Sequence, residues 1–61
     1  MTTEFYVIKF SDNTYLTTRN ELTVNEYEAL NFHKSDYASA EAEVARQSAD
    51  RGMTAEIVAS S

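Results

Sequence analysis

The chain has 61 residues, ten Asp and Glu against five Lys and Arg, a formal net charge of -5 and no Cys. That length bounds it to a single domain over residues 1–61, and the absence of Cys excludes disulfides and thiolate metal sites. The acidic balance disfavours direct binding to nucleic acid or to anionic membranes. A domain of this size buries only about 60% of the surface its unfolded chain exposes. Small chains therefore lean on disulfides, metals or partners, and here oligomerisation is the device left open.

Met1 to Thr3 read as a loose start without the basic-then-apolar layout of a signal peptide. Thr3 to Phe10 contains the densest run of aromatic and β-branched residues and reads as the first strand. Side chains alternate along a strand, so Tyr6, Ile8 and Phe10 share one face, and Phe5, Val7 and the stem of Lys9 share the other. Both faces are apolar, which predicts a central strand with something over each side. Ser11-Asp12-Asn13-Thr14 follows, and Asp12-Asn13 suits the centre of a two-residue hairpin turn. Thr14 to Thr18 reads as the second strand, with Tyr15 and Thr17 opposite Leu16.

Arg19-Asn20-Glu21 reads as a second turn. In Leu22 to Phe32, Thr23 with Glu26 fits a capping box. The segment is read as one helical turn near Asn25 to Glu28 followed by an extended piece, with a third short strand near Ala29 to Phe32 as the alternative. His33 to Asp36 is a polar break. Tyr37 to Arg51, rich in Ala and Glu, is the main helix. Ser39 is favoured over Ser35 as its N-cap, and Gly52 stands where a left-handed C-cap is needed. The expected buried face is Val44, Ala45, Ser48 and Ala49, with Ala40 or Glu41 a turn earlier. Met53 to Ala59 is the last strand, antiparallel or parallel to the first according to whether a third strand intervenes. The predicted fold is α+β: a small, mostly antiparallel sheet of three to four strands with one main helix across one face.

The residues offer no catalytic site. Ser and Thr are plentiful, but none sits in a Gly-flanked elbow, and the single His cannot be given a triad. Glu41 and Glu43 point to different sides of the helix and do not form an acid–base pair. Gly52, the one glycine, leaves no phosphate-cradling loop. No cofactor or metal is expected. The absence of about twenty consecutive apolar residues excludes a helical membrane span. The aromatic residues lack the basic stripe of a base-stacking platform, so no direct nucleic-acid binding is expected. A candidate acidic partner surface comprises Glu21, Glu26, Glu28, Glu41 and Glu43, and an alternative function is an acidic mimic of DNA that inhibits a nucleic-acid-binding enzyme, or a structural or assembly module; a solvated surface is the plainer reading of the same charges.

The order Phe5-Tyr6-Val7-Ile8-Lys9-Phe10, Tyr15-Leu16, Ala29-Leu30-Asn31-Phe32, Ala42-Glu43 and Glu56-Ile57-Val58 resembles small phage and prophage accessory proteins of the hairpin–helix–strand type. Ala29 and Phe32 match an A-x-x-F-like element of that group. The resemblance covers most of the chain, rests on no specific motif and transfers no functional residue. It implies a cytoplasmic protein that binds and inhibits one bacterial host or antiphage-defence protein. The expectation from the residues themselves is a non-enzymatic homodimer using Phe5, Tyr6, Val7, Ile8 and Phe10 as dimer or partner interface, because one helix can shield only one apolar face of the first strand.

Overall fold

A computed structural model of the chain describes residues 4–60. It has the expected α+β architecture: a five-stranded antiparallel sheet with one α-helix packed on it. Strand β1 (Phe5–Phe10) is central. One of its edges pairs along its length with β5 (Ala55–Ala59), from Tyr6 opposite Ala59 to Phe10 opposite Ala55. Its other edge is shared. Lys9 lies opposite Tyr15 of β2 (Tyr15–Leu16), while Phe5 and Tyr6 lie opposite His33 and Phe32 of β4 (Phe32–His33). β3 (Leu22–Thr23) extends the sheet beyond β2. Where β2 and β1 diverge, the chain ahead of β4 fills the gap: Thr17 bridges Ala29, and the Leu30 N–H donates to the Leu16 carbonyl at 2.8 Å. The expected start of the first strand at Thr3 lies outside the described residues. The second strand is shorter than the five residues expected, because the next turn begins at Thr17.

Two hairpin loops share one geometry. Asn13 N–H donates to the Phe10 carbonyl and Phe10 N–H to the Thr14 carbonyl, enclosing Ser11, Asp12 and Asn13. Asn20 N–H donates to the Thr17 carbonyl and Thr17 N–H to the Glu21 carbonyl, enclosing Thr18, Arg19 and Asn20. Each loop ends in an Asn at positive φ, 69° for Asn13 and 61° for Asn20. The expected two-residue turn at Asp12-Asn13 is therefore a three-residue loop. A two-residue turn of type I′ asks two successive residues to take positive φ, whereas this loop asks one, and Asn tolerates it. Asp12 Oδ1 also accepts from the Thr14 N–H, which secures the loop locally.

The connector forms a one-turn 3-10 helix at Glu26–Glu28, then the bridge and β4. The expected capping box is not made. Thr23 Oγ1 instead donates to Glu28 Oε1 and accepts from the Asn25 N–H, both at 3.1 Å. With β3 and β4 both present, the chain reverses an even number of additional times, and β5 runs antiparallel to β1.

Helix α1 spans Tyr37–Arg51, the predicted range. Its start differs from expectation. A 3-10 turn at Lys34–Asp36, held by the Ser35 N–H donating to His33 Nδ1, runs directly into it. Asp36 occupies the N-cap without a side-chain bond, and Ser39 falls inside the first turn. Tyr37 is fixed there by an edge-on contact with Tyr6, ring centroids 5.2 Å apart. The helix ends as predicted at Gly52, φ 65°, whose N–H donates to the Ser48 carbonyl.

The core is formed by Ile8, Phe10 and Leu16, with Leu22, Leu30, Phe32, Val44, Met53 and Ala55 packed around them. The inward side of α1 corrects the expected face. Ala40 and Gln47 are buried and Glu43, Val44, Ser48 and Arg51 are half-buried, whereas Ala45 and Ala49 are exposed. Val44, Ser48 and Ala40 were placed correctly. Ala45 and Ala49 were not, because hydropathy ranks Ala above Gln and Arg, and two polar residues here have partners that make burial favourable.

Candidate functional site

Three features of the surface and its support emerge from this fold. The first is the sheet face turned away from α1. By strand alternation it carries Phe5, Val7 and Lys9, with Val58 and Glu56 from β5, Tyr15 from β2 and His33 from β4 beside them. Val7 is fully buried, while Phe5 remains 44% exposed and stands edge-on to His33 at 5.4 Å. Of the five expected interface residues, Ile8 and Phe10 lie in the core under α1, Val7 is enclosed, Tyr6 packs on Tyr37, and Phe5 presents itself outward. Leu30 and Phe32 of the connector join the core on the helix side.

The second feature is a corner built by β3 and the 3-10 turn. Val24 is 75% exposed and Tyr27 is 83% exposed. Tyr27 is flanked in sequence by the carboxylates of Glu26 and Glu28, and Glu21 lies at the other end of β3. The corner is held from beneath by the Thr23–Glu28 and Thr23–Asn25 bonds, so an exposed aromatic ring rides on an ordered turn.

The third feature is polar and was missed in the sequence. Gln47, 1% exposed, donates through Nε2 to Asn20 Oδ1 and Glu43 Oε2, each at 2.7 Å. Its Oε1 accepts from Arg51 Nε at 2.7 Å, and Arg51 Nη2 donates to the Asn20 carbonyl at 2.7 Å. The Arg51 guanidinium also stands 5.9 Å from the centre of the Phe10 ring. Arg46 completes the cluster with an ion pair to Glu43. Glu43, Gln47 and Arg51 recur at four-residue spacing, the one signal that could have found them. The network ties the β2–β3 loop to α1, and no buried side-chain polar atom among the described residues lacks a partner. Its role is to hold the fold.

The five acidic residues do not form one surface. Glu26 and Glu28 belong to the Tyr27 corner, and Glu43 is drawn into the Gln47 network. Glu41 sits about 200° around the helix from Glu43 at ~100° per residue. Among the described residues no three His, Asp or Glu side chains gather as a metal site, and no helix is long and apolar enough to cross a membrane. Comparison with family models, curated proteins and solved structures found no match.

Proposed function

We propose that the chain is a non-enzymatic binding protein, acting as a homodimer, that engages a bacterial protein through the Tyr27 corner. The observation that carries this reading is the exposure of Tyr27, 83%, on a turn fixed by side-chain hydrogen bonds. Tyr is enriched among the residues that dominate interface energies, since it offers a large rigid ring with a polar tip. Val24 beside it supplies aliphatic contact, and Glu26 and Glu28 supply a negative rim. The complementary site on the partner is an apolar pocket edged with Lys or Arg. The likeness to phage accessory proteins supports the finer reading, a cytoplasmic inhibitor of a host or antiphage-defence protein.

A second reading is that the carboxylates imitate nucleic-acid phosphates and occupy a DNA-binding enzyme. It rests on Glu26 and Glu28, which share the Tyr27 corner outside any ion pair, and not on one acidic face; among the described residues the one ion pair is Arg46 with Glu43. Affinity capture from bacterial lysate, with Tyr27→Ala and Glu26→Gln/Glu28→Gln variants run beside the wild type, separates the readings. Loss of the captured protein with Tyr27→Ala supports the corner. Loss with the double Gln variant and retention with Tyr27→Ala support mimicry. Retention in every variant refutes both.

A further inference from the structure

We infer that the homodimer of the preceding proposal forms edge to edge, by antiparallel pairing of β5 with β5 of a second copy about a two-fold axis at Ile57. The argument begins with the ladder between β1 and β5. The Ser60 N–H donates to the Phe5 carbonyl and the Ser11 N–H to the Thr54 carbonyl. Hydrogen-bonded pairs alternate in an antiparallel ladder, so Thr54, Glu56, Val58 and Ser60 turn their backbone groups toward β1. Ala55, Ile57 and Ala59 turn theirs outward, and these have no hydrogen-bond partner among the described residues.

An open edge is ordinarily blunted by Pro, by Lys, by a bulge or by shortness. β5 has none of these. It is five residues long, pairs without interruption from Ala55 to Ala59, and carries one charge, Glu56, which stands opposite Lys9. Its outward groups belong to Ala-x-Ile-x-Ala, a pattern symmetric about Ile57. A two-fold there sets Ile57 against Ile57 of the other copy, and Ala55 against Ala59, as hydrogen-bonded pairs with matching small residues at both ends.

The symmetry of the strand selects a second copy over an unrelated extended peptide: the outward Ala-x-Ile-x-Ala presents the same residues to its own copy across a two-fold, so one patch is used twice. α1 packs on β5, β1 and β4, all from one side of the sheet, and a two-fold perpendicular to the sheet keeps both helices on that side.

Cross-linking tests the register, and the chain has no native Cys to interfere. In this pairing Glu56 faces Val58 of the other copy as a non-hydrogen-bonded pair, with Cα atoms about 4.5 Å apart, inside the disulfide range. Mixed and oxidised, Glu56→Cys and Val58→Cys proteins should yield mostly disulfide-linked heterodimer, several-fold more than either protein alone. Ala59→Pro removes an outward N–H that β1 does not use, so it should return a monomer mass by sedimentation equilibrium with the protomer's circular dichroism retained. A wild-type dimer that gives no preferential 56–58 link, or a folded Ala59→Pro variant that stays dimeric, overturns the β5 register while leaving dimerisation standing. A wild-type monomer at tens of micromolar overturns both.

Discussion

At the scale of single residues, three backbone positions with positive φ show what the local sequence can and cannot settle. Gly52 ends α1 in the left-handed region, and a Cβ there would meet nothing within 4 Å. Gly52→Ala should therefore lose about 1 kcal/mol from backbone strain alone, read as a lower urea midpoint at unchanged slope. Asn13 and Asn20 share one loop geometry but differ in what their side chains do. Asn13→Gly relieves strain in an exposed loop and should leave stability within about 0.5 kcal/mol of wild type, relief being offset by unfolded-chain entropy. Asn20→Gly removes an acceptor of the buried Gln47 and should destabilise by about 1–2 kcal/mol. Gln47→Ala opens a cavity and strands Asn20 and Arg51, so a loss of about 2–4 kcal/mol is expected. Equal effects from the two Asn→Gly changes in chemical denaturation would contradict the network.

At the scale of elements, β1 and α1 each present one side to the core, and the two were unequally readable. β1 buries Val7 on one face and Ile8 and Phe10 on the other, and strand alternation sends the latter pair under the helix. Ile8→Ala should lose about 2–4 kcal/mol, while Phe5→Ala, at a half-exposed position, should lose distinctly less. α1 contains so many alanines that hydropathy points in two directions at once. Ala45→Lys and Ala49→Lys, on the exposed side, should each change stability by under about 0.5 kcal/mol. Ala40→Lys, fully buried against the sheet, should abolish the cooperative thermal transition. A severe loss from Ala45→Lys would restore the face that hydropathy suggested.

At the scale of the whole molecule, charge and burial set the behaviour. The net charge of -5 predicts that the protein does not bind duplex DNA. No shift in a fluorescence titration at low-micromolar protein and physiological salt is expected, since such affinity needs a phosphate-facing basic patch. The sheet buries its helix side well, yet leaves Phe5 on one face, Tyr27 at one corner and the β5 edge open. Association through that edge would link stability to concentration, so the thermal midpoint should rise as protein concentration increases, as mass action requires.

The sequence by itself determined the class of the fold, the range of α1, the left-handed stop at Gly52, and the alternation that sends Ile8 and Phe10 to one side of β1. These are local properties, set by propensity, periodicity and the steric freedom of one glycine. Tertiary structure alone decided the rest. Two-residue strands such as β3 and β4 have no periodicity to read; they exist because β2 and β1 offer free edges at the right place. Gln47 and Arg51 face inward because Asn20, more than twenty residues away in sequence, supplies the groups that make their burial favourable. The open edge of β5 follows from strand order: β2 and β4 share one edge of β1, β5 takes the other, and among the described residues nothing pairs beyond it.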